Sequence, residues 1–260
     1  MTAAKLAGAA LAALLIATTG SVPADAKQAA AQGRKAGAEA QIAKALADPA
    51  RADQATDDAR RKAAEVLAFS GVKPGDRVID FLPGQGYWTR IFTGVVGPKG
   101  HVLALWPAAA AKYAEKPLPE LKARNLANVT AELQTAALPT VDQPVDLFWT
   151  VQNYHDIPNK GVGETGLNAF NAAVFKTLKP GGVYIVIDHA DAAGSGMTGT
   201  ETLHRIDPAV VKQQVLAAGF KFEGSSNVLA NPADDHKAKV FDPAIRGRTD
   251  QFVFKFRKPR

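Results

Sequence analysis

From Arg77 to Phe256 the chain alternates short runs dense in Val, Ile, Leu and Phe with longer amphipathic segments. That alternation confines it to a small set of folds, because each apolar run must be buried on both faces. Strands are expected at Arg77–Leu82, His101–Trp106, Val129–Leu133, Val145–Val151, Val183–Asp188, Phe220–Val228 and Gln251–Phe256. Helices are expected at Tyr87–Val96, Pro119–Ala127 and Leu167–Leu178, with a fourth opened by Asp207-Pro208 and ended by Gly219. A further helix is expected to start at Thr56-Asp57-Asp58 and stop at Gly71. The implied fold class is α/β: a doubly wound, mostly parallel seven-stranded sheet. The last two strands have no helix between them, so they should pair antiparallel, with the C-terminal strand at one edge.

The N-terminal quarter is different. None of the 19 aromatic residues precedes Phe69. Residues 27–55 are rich in Ala, Gln and Lys and read as a flexible arm in front of a domain spanning 56–260. Residues 1–26 have the three regions of a secretory signal peptide in order: a positive start at Lys5, an apolar run from Leu6 to Ala17, and the small-x-small cleavage pattern Ala24-Asp25-Ala26. A periplasmic or secreted location is therefore expected. The apolar run is shorter than a bilayer requires, so no membrane span is expected.

Composition narrows the chemistry. With no cysteine in 260 residues, disulfides, thiolate-ligated metals and cysteine nucleophiles are excluded. The net charge of +6 comes without a dense Lys/Arg run, so a nucleic-acid partner is not expected. Two long segments without periodicity, Ala190–Arg205 and Leu229–Thr249, are candidate lids or site walls.

Val78 to Thr89 reads as a strand, a tight turn at Pro83-Gly84-Gln85-Gly86, and a helix start. Glycines there let the backbone approach a ligand closely, at the carboxyl edge of the sheet where ligands of open α/β folds bind. About one hundred residues later, Leu178-Lys179-Pro180-Gly181-Gly182 leads into the most apolar strand. This pair of motifs resembles the class I S-adenosylmethionine-dependent methyltransferases, over roughly residues 56–260. More narrowly, Asn153-Tyr154-His155-Asp156, Asp188-His189, His204-Arg205 and Val240-Phe241-Asp242 resemble a group of signal-bearing bacterial methyltransferases.

The resemblance implies a Rossmann-like fold, S-adenosylmethionine as cofactor and a small-molecule or protein methyl acceptor. It also implies cofactor-binding roles for Asp80, Gly84, Gly86, Tyr87, Gln134 and Asn153. Three positions depart from the family pattern. Leu82 stands at the first glycine. Leu105-Trp106-Pro107 lacks the acid that grips the ribose, and Gln134 replaces the acid facing the adenine amino group.

His155 and Asp156 follow the fourth strand, Asp188 and His189 end the fifth, and His204 closes the first long loop. Three of the five histidines thus belong to one edge of the sheet. His155, Asp156, His189 and His204 are the catalytic candidates, with His155 first as general base. No two histidines have the three- or four-residue spacing of a helical metal site, so no metal is assigned. A metal-assisted hydrolase or lyase on the same fold stays open, as does an exported protein that only binds its ligand.

Overall fold

The computed structural model of the protein describes residues 24–159 and 166–260. The apolar run of the expected signal peptide lies outside the described residues. The chain divides into two units, Met1–Lys35 and Ala36–Arg260. Of the first, only the helical residues from Ala24 onward are described. The second holds the sheet.

Seven strands are observed: β1 (Arg77–Phe81), β2 (His101–Trp106), β3 (Val129–Leu133), β4 (Val145–Val151), β5 (Leu178–His189), β6 (Lys221–Ser226) and β7 (Gln251–Arg257). They lie in the order β3-β2-β1-β4-β5-β7-β6. The β1–β2, β1–β4, β2–β3 and β4–β5 pairs are parallel, and β7 is antiparallel to both β5 and β6. The mostly parallel seven-stranded sheet matches the sequence reading. Strand β7 lies one place inside the edge, between β5 and β6.

Alternate side chains of the central strands feed two cores. Ile79, Phe81, Phe148, Tyr184 and Val186 face one, which the helices α6 (Leu167–Thr177) and α7 (Pro208–Ala217) cover through Phe170, Val174, Val211 and Val215. Val78, Leu147, Trp149, Ile185 and Ile187 face the other, against α2 (Ala63–Ser70) and α3 (Tyr87–Val96). Two short helices, α4 (Ala111–Ala114) and α5 (Pro117–Ala123), pack beside β2 and β3. Among the described residues, no helix is long and apolar enough to cross a membrane.

Two expectations about the N-terminal region are corrected. The arm expected over 27–55 is, from Ala36 onward, part of the main unit. Helix α1 (Ala24–Leu46) buries Ile42 and Ala45 in the second core, and Gln41 Nε2 donates to Gly94 O at 2.6 Å. Arg51 is 1 % exposed, and its guanidinium donates to both oxygens of Asp58 and to Leu46 O. Arg90 holds Asp53 with two hydrogen bonds of 2.6 and 2.8 Å. Sparse apolar residues and two buried guanidiniums secure this stretch, and a search for hydrophobic density overlooks both.

The second correction concerns the helix expected from Thr56. Residues 55–57 form one 3-10 turn, and Lys62 takes a left-handed φ of 48° before α2 begins at Ala63. The break turns Asp57 and Arg61 toward the glycine loop, where both line a cavity.

Gly94 is the point of closest approach between α1 and α3. A Cβ there would stand 2.8 Å from the Ala45 Cβ. Gly→Ala inside an exposed helix ordinarily stabilises by about 0.5–1 kcal/mol. Gly94→Ala is expected to do the opposite, lowering stability by about 1–3 kcal/mol through overpacking. Chemical denaturation measures the change, and amide exchange should rise selectively over residues 38–50.

Candidate active site

The ends of β1, β4 and β5 meet at one edge, and every catalytic candidate sits there. After β1 the backbone turns through Leu82 (φ 53°), Gly84 (φ 54°) and Gly86 (φ 73°) before α3 starts at Tyr87. Among the described residues, its own chain neighbours aside, no atom lies within 4 Å of the position a Gly84 Cβ would occupy, and Gly84 lines two adjoining cavities. Leu82 in the left-handed region explains why the missing first glycine does not abolish the turn. Asn153 fixes its geometry, because Nδ2 donates to the carbonyls of Phe81 and Leu82 at 3.1 and 3.2 Å.

The first cavity, about 410 Å³, is lined by Asp80, Tyr87 and Trp88 together with Gln54, Asp57 and Arg61 from the N-terminal region. Asp80 is 2 % exposed and accepts a 2.6 Å hydrogen bond from Thr89 Oγ1. Burial pushes its carboxyl up to about 7, against the hydrogen bond from Thr89 and the weaker pull of Arg61. Arg61 lies over the Tyr87 ring, 4.5 Å from its centroid, and the Tyr87 hydroxyl donates to Asp58 at 2.6 Å.

The second cavity, about 500 Å³, runs between the glycine loop and the two long loops. Leu82, Trp106, Tyr113 and Phe241 supply apolar walls, while His155, Asp156, His189 and His204 supply the polar end. The four catalytic candidates are thus brought together from β4, β5 and a loop.

A carboxylate with no exposed surface organises them. Asp188 Oδ2 accepts from the His155 backbone N–H, and Oδ1 from the His189 backbone N–H, each at 2.8 Å. Asp188 Oδ1 also lies 2.8 Å from His155 Nδ1. A carboxylate accepts only, so that ring nitrogen carries the proton and Nε2 faces the cavity.

Burial alone would discharge His155, but Asp188 and then Asp156 outweigh it and hold the imidazole above its ordinary range. For Asp188, burial is likewise opposed and outweighed by His155 and His189, and its carboxyl is held low. His189 has the opposite fate: burial depresses it to about 4, only partly offset by Asp188. Its Nδ1 pairs with Thr249 Oγ1 at 2.7 Å, which makes it a neutral wall residue. His204 is also lowered, by burial first, with Asp156 opposing.

The two aperiodic segments are walls fastened to each other. Arg205 has no exposed surface. Its guanidinium donates to both Asp234 oxygens at 2.8 and 3.1 Å, to Ala190 O at 3.0 Å and to Ala238 O at 3.1 Å. Val240 and Phe241 are carried to the cavity by this clamp. The sequence reading quoted both among its family motifs but gave neither a site role, because a loop contact has no periodicity.

One cofactor candidate lies apart from the others. Gln134 lines neither rim cavity. Its amide donates to Glu132 Oε1 and Thr140 O at 2.8 and 2.7 Å and accepts from Thr140 N at 3.2 Å. It lines a groove with Arg77 and His101, which start their strands at the other end of the sheet. At the end of β2, Trp106 stands where the ribose acid was missed, and it lines the second cavity.

No family model matches the chain. In sequence it is 32% identical over 124 residues to the ubiquinone/menaquinone biosynthesis C-methyltransferase UbiE of Ectopseudomonas mendocina, a match covering 47% of this chain and 45% of that protein. The chain therefore spans about half the length of the curated relative it matches. In structure it is similar to a SAM-dependent methyltransferase from Aquifex aeolicus, with a TM-score of 0.54 at 18% identity, covering 84% of this chain and 97% of the other. The [4+2]-cyclase SpnF aligns with a TM-score of 0.56 at 17% identity, covering 77% of this chain and 80% of that one. These likenesses establish the Rossmann-like class I methyltransferase fold.

Removing one partner of a buried ion pair leaves the other charge uncompensated, at a cost of about 3–5 kcal/mol. Arg205→Met is expected to lower stability by that amount in chemical denaturation. Amide protection should be lost first over residues 234–250.

Proposed function

We propose that this chain transfers a methyl group from S-adenosylmethionine to a small acceptor, which it binds in the cavity between the glycine loop and the His155–His204 wall. One observation carries the reading: a buried carboxylate that forms no ion pair among the described residues, Asp80, beside a glycine turn whose missing Cβ leaves room for a ligand. The relation to UbiE and the class I fold support it.

The residues fit the cofactor at the methionine end. An ammonium group suits Asp80, which already lines the cavity, and a carboxylate suits Arg61 across it. The backbone at Gly84 and Gly86 offers close approach. At the other end, Trp106 and Tyr113 offer aromatic faces to an adenosine in place of the absent acid. S-adenosylmethionine, when bound, supplies an electrophilic methyl group.

The protein's own share is positioning. Holding the acceptor in line accounts for about 7–11 kcal/mol of the barrier in reactions of this kind. His155 Nε2, its partner nitrogen tied to Asp188, takes the acceptor's proton. Val240 and Phe241 give the site an apolar wall. A third cavity, about 420 Å³, adjoins this wall through Gln152, His189, Val240 and Phe241, and it is edged by Arg60, Arg61 and Arg246. It suits an acceptor with an apolar body and an anionic group. Residues 1–26 support export of the protein, as in the signal-bearing group that its motifs resemble.

Calorimetric titration with S-adenosylhomocysteine is expected to show saturable binding, abolished by Gly84→Val, whose side chain would fill the ligand space. The pH dependence follows from Asp80. Below about 7 its carboxyl is neutral and cannot pair with the ligand's ammonium; above that it is ionised. Affinity should therefore rise with pH up to about 7, by at most about tenfold per pH unit, and then level off. The slope should disappear in Asp80→Asn. No binding at any pH would overturn the proposal.

A further inference from the structure

We propose that His155, Asp156 and His204 form a binding site for one first-row divalent metal ion, zinc foremost, with a coordination position open to the second cavity. The three donor atoms form a nearly equilateral triangle. His155 Nε2 to His204 Nδ1, His155 Nε2 to Asp156 Oδ1, and His204 Nδ1 to Asp156 Oδ1 are each 3.3 Å. Tetrahedral bonds of about 2.0–2.1 Å separate neighbouring ligand atoms by about 3.3–3.4 Å. The triangle has the dimensions of one face of such a site before any ion is added.

The donor set points the same way. Two imidazole nitrogens and one carboxylate oxygen suit zinc, iron(II) or manganese(II), whereas magnesium and calcium favour oxygen alone. Behind the triangle stands a fixed outer partner. Asp188 binds His155 Nδ1 at 2.8 Å, which sets the tautomer and aims Nε2 inward. His155 is 2 % exposed and Asp188 wholly buried, so this arm is rigid. The His204 ring packs on Phe241, with centroids 4.8 Å apart, and the next residue is the buried Arg205 that clamps both loops. His204 itself adopts a left-handed φ of 56°, which directs its ring into the triangle.

Three protein ligands and a free position on a cavity are the arrangement of a reactive ion rather than a structural one. An oxygen of a bound molecule, or a water, completes the coordination and loses its proton more readily there. On the methyl-transfer reading above, that oxygen belongs to the acceptor, and with the ion bound His155 Nε2 serves as its ligand in place of taking the acceptor's proton. Metal binding itself does not depend on that reading.

The experiment uses untagged full-length protein, stripped with a chelator and titrated with zinc and, separately, cobalt(II). One equivalent of each ion is expected to bind, and the cobalt form should show the intense visible bands of a four-coordinate site. His204→Ala and Asp156→Ala should each weaken binding by more than 100-fold, and Asp188→Asn by about 10–100-fold. His101→Gln, at the start of β2, should change nothing. Thermal melting of each variant separates loss of ligand from loss of fold. Absence of saturable binding would overturn the proposal, as would binding that survives both His204→Ala and Asp156→Ala. S-adenosylhomocysteine titration of the stripped protein reports on the cofactor reading separately, because Asp80 and Arg61, which would hold its methionine end, are not members of the triangle.

Discussion

The site depends on one buried carboxylate. Asp188 ends the most apolar strand, with no exposed surface, and a lone charge there would be costly. It is tolerated because two backbone amides and one imidazole converge on it. Those partners come from the segment after β4 and from β5 itself, so satisfying the charge also closes the sheet edge. It orients His155 at the same time. Packing, electrostatics and the direction of His155 Nε2 are one constraint here.

Around that anchor, buried guanidiniums do what apolar residues do elsewhere in the molecule. Arg205 binds the two aperiodic segments together, and Arg51 and Arg90 fasten the N-terminal stretch beside the glycine loop. Each makes several charge-assisted hydrogen bonds to carboxylate and carbonyl oxygens of other segments. Loops held this way have little regular structure yet present Val240, Phe241 and His204 in fixed places. The relation to SpnF, whose chemistry is cyclisation, shows that the fold alone does not name the reaction. The walls supplied by these loops carry that information.

The central elements were legible because their signals are local. Strand and helix positions from Arg77 to Phe256 follow from apolar period and from the Gly and Pro residues between segments, and the observed boundaries differ by a few residues. The convergence of His155, His189 and His204 was legible too, since parallel strands deliver their C-terminal ends to one edge. The role of the N-terminal stretch was not, because one arginine bonded to a carbonyl leaves no pattern along the chain. Gln134 shows the opposite case: its position in a motif suggested a ligand contact, while it lines neither rim cavity.

By itself the sequence determined the layered α/β architecture, the glycine turn and the edge at which the candidate site residues gather. All three arise from interactions between residues close along the chain or from periodic burial. The tertiary structure decided the rest. It pushed the His155 imidazole above its ordinary range and the His189 imidazole below it, although both flank the same carboxylate. It brought His204, 49 residues from His155, to within 3.3 Å of it. Distances between side chains on different segments depend on how buried charges find partners in three dimensions, and no spacing in the sequence encodes them.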